Sequence, residues 1–141
     1  MKYLICLFVI FNFLYSSNLR AFDNLENKKL ICDFGIEKLL VWGFDFIDYK
    51  KVKMIQIYEV KTFEDFLGYE ARAKIIYIGD NFSDPASGHF FQIDRKTLIL
   101  TDVNLTKKPQ IQCYLAKENL EEEMKILFNK NVNKVKKDNA I

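Results

Sequence analysis

From residue 30 to residue 115 apolar and polar positions mostly alternate. Leu30, Cys32 and Phe34 fall on one side of a two-residue period and Ile31 and Asp33 on the other, the pattern of a half-buried strand with Cys32 facing inward. Gly35 ends that run. Leu40, Trp42, Phe44 and Phe46 then alternate with Val41, Gly43, Asp45 and Ile47, which predicts a second strand with a bend available at Gly43. A short helix over 36–41 competes for its first residues, because Ile36, Leu39 and Leu40 also suit a 3.6-residue period. After the polar turn at Asp48–Lys51, Val52–Val60 is rich in β-branched and aromatic residues. Its alternation breaks at Met54 and Ile55, which predicts either a bulge or a strand covered on both faces.

Further along, Thr62 with Asp65 three residues on, apolar Phe63, Phe66 and Leu67, and a following Gly68 predict a connecting helix of one or two turns. Glu70–Asp80 reads as one strand. Gly79–Gly88, with the sequence GDNFSDPASG, carries the strongest loop signal. His89–Ile93 and Leu98–Val103 form a predicted hairpin about the polar turn Asp94–Thr97, and Pro109 introduces a last strand in which Ile111, Cys113 and Leu115 face inward. Asn119 opens a helix over about 120–130, with Glu122 at the capping-box position and Leu120, Met124, Leu127 and Phe128 on one stripe. The fold class that results is mainly β, an antiparallel sandwich or partly closed barrel of six to seven strands, with a short connecting helix and a C-terminal helix. Its single domain spans 22–130, followed by a flexible basic tail over 131–141.

The apolar run Tyr3–Tyr15 precedes all of this. It is too short to span a hydrocarbon core, which takes about 20 apolar residues in a helix. With Lys2 before it and small or polar residues up to Ala21 after it, residues 1–21 are expected to be a signal peptide, with an uncleaved signal anchor as the alternative. Removing that segment changes the electrostatics. Of 21 basic residues Lys2 and Arg20 leave with it, and the rest balance the 19 acidic residues. A neutral mature chain gives no electrostatic footprint for nucleic acid. The destination is periplasmic or extracellular, and the mature protein is not expected to be membrane-embedded.

Export also decides how the cysteines are read. Cys6 is lost with the leader, and in an oxidising compartment the remaining Cys32 and Cys113 are expected to form a disulfide. Closing a loop of roughly 80 residues would restrict the unfolded chain by about 4 kcal/mol in the loop-entropy model. No C-x-x-C spacing is present, and two thiols with one histidine fall short of a zinc set, so no metal or cofactor is expected.

Chemistry has one candidate stretch. Asp80, Asp84 and His89 gather in the Gly79–His89 loop, which as a small secreted hydrolase would use His89 as a base. Such residues within one short loop rarely converge in triad geometry, and turn-forming side chains are the stronger account. Asp80, Asn81, Ser83 and Asp84 also offer oxygen ligands to calcium without matching an EF-hand. Asn81 with Ser83, and Asn104 with Thr106, form glycosylation tripeptides.

The 13 Phe, seven Tyr and one Trp admit a different role. Most serve a core, and a minority could line an apolar cavity in a barrel with an attached C-terminal helix. That layout looks like the lipocalin architecture in outline, although the Gly-x-Trp signature is missing around Trp42, which lies between Val41 and Gly43. The sequence therefore points to an exported β-rich protein that binds or builds and does not catalyse, its partner an unidentified protein or a small apolar ligand.

Overall fold

The computed structural model describes residues 25–80, 90–103 and 109–138. The apolar leader, the Asn104 tripeptide and most of the Gly79–His89 loop lie outside them. Among the described residues eight strands, β1 (Lys29–Asp33), β2 (Leu40–Phe46), β3 (Lys51–Tyr58), β4 (Lys61–Ala71), β5 (Ile75–Gly79), β6 (Phe90–Asp94), β7 (Ile99–Asp102) and β8 (Gln110–Leu115), precede one helix, α1 (Leu120–Asp138). Each strand pairs antiparallel with the next, and β8 pairs with β1 to close a barrel.

Alternation explains the interior. Leu30 and Cys32 of β1, Phe44 and Phe46 of β2, Val52 and Met54 of β3, and Leu67 and Tyr69 of β4 point into one apolar cluster with residues of β5 to β8. Side chains fill the barrel, as expected for eight strands. Rings dominate its middle: Trp42 lies 5.0 Å from Phe91, and Phe46 meets Tyr69 edge-on at 4.9 Å.

The opposite face of β1, β2 and β3 holds a second apolar cluster. Ile31, Val41, Ile55 and Ile57 point outward and are covered by Leu120, Met124 and Phe128 of α1. The break in alternation at Met54–Ile55 is thus a strand buried on both faces. Its pairing runs on without a bulge, Met54 opposite Phe44 and Ile55 opposite Gly43. The helix packs tightly over Gly43; a Cβ there would collide with Met124 Sδ and lie 3.2 Å from Leu120 Cδ1. This glycine admits a helix onto a sheet.

Four readings need correction. The predicted helix at Thr62–Gly68 is strand: all of it belongs to β4, paired residue by residue with β3 through a two-residue turn. Glu59 and Val60 form that turn with φ of 48° and 63°, a conformation neither side chain advertises. Glu70–Asp80 is two strands, because the chain turns at Arg72–Lys74 and β5 returns alongside the end of β4. Splitting it and converting the helix raises the described strands to eight, where six or seven were expected. Finally, α1 continues through Asp138, two turns beyond the expected end, so much of the tail is helix. Asn131 explains the extension: it is buried and its Nδ2 donates to Asp33 Oδ1 at 3.0 Å, fixing the later turns to the end of β1.

The start of α1 follows the sequence more closely. Asn119 Oδ1 accepts from Glu122 N at 3.3 Å. The reciprocal contact comes from the next acid: Glu123 Oε1 accepts from both Lys117 N and Glu118 N at 2.8 Å. Glu121–Glu123 stand in the first turn and Lys136 and Lys137 in the last, each charge opposing the helix dipole.

Candidate functional site

Cys32 and Cys113 form a disulfide. They are direct partners in the β1–β8 register, so the bridge crosses the seam between adjacent strands and does not span the interior. It reinforces the closing contact of the barrel, where β1 and β8 meet along three registered pairs.

Of the candidate loop residues Asp80, Asp84 and His89, only Asp80 is described, exposed just after β5; Asp84 and His89 lie outside the described residues. Among the described residues no group of three or more His, Cys, Asp or Glu could hold a metal. No described helix is long and apolar enough to cross a membrane.

What the fold does assemble is an asymmetric pair of barrel ends. At one end lie the turns joining β2 to β3, β4 to β5 and β6 to β7. The other carries the connection from Phe34 to Leu39 and the β3–β4 turn, beside the ends of β5 and β7 and the starts of β6 and β8. We refer to these as the closed and open ends.

A shallow pocket of about 170 Å³ sits at the open end, lined by Phe34, Lys38, Trp42, Leu100 and Ile111 among others. Phe34 stacks on Trp42 at 4.5 Å, and Lys38 Nζ stands 5.7 Å from the Phe34 ring centre. Trp42 Nε1 is buried and has no hydrogen-bond partner among the described residues. A buried N–H without an acceptor costs roughly 1–3 kcal/mol. A comparable pocket of about 190 Å³ opens at the closed end between Leu25, Phe46 and Leu98. Both are smaller than the 300–1,000 Å³ usual for ligand chambers, and the barrel between them is packed.

The second feature of the open end is the β3–β4 hairpin. β4 is the longest strand, yet β5 pairs only with its last part, Gly68–Ala71. Lys61–Phe66 are exposed at every position, on both faces of the strand. Phe63 is 51% and Phe66 58% exposed, beside Tyr58 and Val60 on the same hairpin. The hairpin is braced from outside: Lys53 Nζ meets Glu64 Oε1 at 2.8 Å and lies 3.9 Å from Glu121 of α1. Hydrogen bonding to Glu64 holds the Lys53 ammonium above its ordinary pKa.

These residues escaped the sequence reading because Phe63, Phe66 and Leu67 imitate a helical stripe. A signal was available in Tyr58, Val60, Phe63 and Phe66, apolar residues too closely spaced to share one strand face. Compared with protein-family models, curated proteins and solved structures, the chain matches none.

Proposed function

We propose that this is an exported, non-catalytic binding module that meets a protein partner through the open end of its barrel, with the β3–β4 hairpin as the contact. The observation that carries this reading is the run Lys61–Phe66, six consecutive strand residues exposed on both faces and including two phenylalanines. Neither ring serves the barrel core or the helix seat, and clustered exposed aromatics mark contact surfaces more than isolated ones do. Export is consistent with the cross-strand disulfide, which persists in oxidising compartments.

Site-specific photo-crosslinking in the producing cell tests this. A photoreactive side chain at Phe63 should give discrete protein adducts, and one at Tyr49, exposed at the closed end, should give none. Equal labelling from both positions, or none from Phe63, would refute the reading.

A second reading draws on Trp42. Its unmatched indole N–H beside an apolar pocket suits a small apolar ligand with one hydrogen-bond acceptor. Native mass spectrometry of the gently extracted protein checks it: a bound small molecule that Trp42→Phe abolishes supports it, and an empty protein removes it.

A further inference from the structure

The projecting half of β4 is complementary to itself, and we propose that the partner it takes is a second copy of this chain, added edge to edge in an antiparallel sheet. This inference rests on the hairpin being the contact surface and goes on to name its occupant.

The backbone sets which residues can pair. The two-residue turn Glu59–Val60 is closed by Tyr58 and Lys61, which are opposite in register. In such a hairpin the closing pair exchanges both backbone hydrogen bonds, and the direction then alternates along the strand. Lys61, Phe63 and Asp65 therefore turn their N–H and C=O groups toward β3, and Thr62, Glu64 and Phe66 turn theirs away. Three observed bonds obey this parity. Tyr69 N donates inward to Lys50 O at 2.8 Å, and Arg72 N donates outward to Ile75 O at 2.9 Å. Phe66 N, on the outward edge, is capped at 2.8 Å by Asp65 Oδ1. A side chain takes the place of a neighbouring strand there.

Only even-numbered residues can thus exchange bonds with a second β4. Three of the registers this allows have their axis in the middle of the run, on Thr62, Phe63 or Glu64. Centring the twofold axis on Glu64 sets two carboxylates face to face. Centring it on Thr62 leaves Lys61 opposite Phe63 and Asp65 opposite Glu59. Centring it on Phe63 places Thr62 opposite Glu64, Phe63 opposite its own copy, and Lys61 opposite Asp65 on both sides of the axis. This last register makes two opposite-charge pairs and one aromatic pair, the combinations that stabilise cross-strand neighbours. It is isologous, as a closed dimer requires.

The remaining groups permit it. Glu64 is already occupied by Lys53 on the outer face. Lys61 and Asp65 are exposed and make no ion pair among the described residues. Asp65 commits one oxygen to Phe66 N and keeps the other for a partner's ammonium. Five residues from each copy make a short seam, so the dimer belongs to the weak, transient class.

Sedimentation velocity on the purified protein with its disulfide intact, over a concentration series, reads the outcome. The wild type should show a concentration-dependent dimer that weakens with salt. Lys61→Asp should weaken self-association roughly tenfold, since two opposite-charge pairs become like-charge pairs. Lys61→Asp combined with Asp65→Lys should restore it. Thr62→Pro, which removes an outward N–H and leaves the β3 bonds untouched, should abolish it. Near-ultraviolet circular dichroism confirms that each variant keeps its native packing. A wild type monomeric throughout, an unaffected Lys61→Asp, or a folded double variant that stays monomeric would overturn the proposal. Were Phe63 still to crosslink a different protein, the hairpin would stand as the contact surface and only its self-pairing would fall.

Discussion

The two ends of the barrel are built on opposite principles. At the closed end, connections are short and their polar groups are consumed locally. Asp48 Oδ1 accepts from Lys50 N and Lys51 N, and Asp94 Oδ1 accepts from Lys96 N, Thr97 N and the Thr97 hydroxyl. Neighbouring turns are tied together as well, for Arg95 Nη1 donates to Arg72 O at 2.9 Å and the Tyr69 hydroxyl donates to Asp48 O. At the open end the Trp42 N–H, without a partner among the described residues, and the exposed β3–β4 hairpin leave bonding capacity and apolar surface unspent. The contrast teaches where this fold keeps its stability and where it keeps its contacts. Substitutions should therefore separate into those that unfold the protein and those that only disarm it.

The largest effect is expected at the seam that both ends share. Replacing Cys32 and Cys113 together with alanine reopens an 81-residue separation in the unfolded chain and should lower stability by about 4 kcal/mol, read as a shift of the urea midpoint. Because the bridge reinforces a β1–β8 contact of only three registered pairs, hydrogen exchange in Leu30–Cys32 should rise first. Next is the helix seat midway between the ends. Gly43→Ala pushes a methyl against the Met124 sulfur and the Leu120 side chain, so the buried Met124 must repack within the seam. A loss of about 2 kcal/mol is expected on urea unfolding, in the range for overpacked cores. Gly43→Ala combined with Met124→Ala should cost less than the two single losses added, because each relieves the other.

Much of this architecture could be read from residue order, and the failures share a cause. β1, β2 and β8 were legible because Leu30/Cys32, Trp42/Phe44/Phe46 and Ile111/Cys113 alternate cleanly toward one interior. The disulfide was legible by elimination of Cys6. Both strand boundaries that were missed lie at turns without glycine, proline or asparagine. Glu59 and Val60 adopt left-handed φ values because strand pairing on both sides demands it, and Arg72–Lys74 turns because β5 has apolar Ile76 and Ile78 to bury. Tertiary pairing overrode a local pattern that suited a helix equally well. The seat for α1 was half legible: its stripe was plain, while the outward Ile31, Val41 and Ile57 looked like the second face of ordinary strands. The candidate surface was missed for the same reason as β4 itself.

Acid should weaken the turns of the closed end. Backbone hydrogen bonds from Lys50 and Lys51 hold the Asp48 carboxyl below its ordinary pKa, and those from Thr97 and Lys96, with the Thr97 hydroxyl, do the same for Asp94. A carboxyl depressed in the folded state contributes stability that is present above its unfolded pKa, about 3.9 for aspartate, and is lost as pH falls through the lower folded value. The melting temperature of the wild type should therefore drop on acidification below about pH 4. Asp94→Asn should start lower at neutral pH and show a shallower acid limb, since asparagine keeps an acceptor and has no proton to gain.

The smallest effect on stability is expected on the exposed hairpin. Phe66 is more than half exposed, and its ring contributes to neither apolar cluster. Phe66→Ser should change unfolding free energy by less than about 0.5 kcal/mol, as surface substitutions usually do. Serine sacrifices some strand propensity, but β4 is held there by its β3 ladder and by the Lys53–Glu64 bridge, both of which the substitution leaves in place. If urea unfolding showed instead a loss of 2 kcal/mol or more, the ring would be a hidden part of the packing. The open end would then be a second structural element, and its exposed phenylalanines would no longer argue for a contact surface.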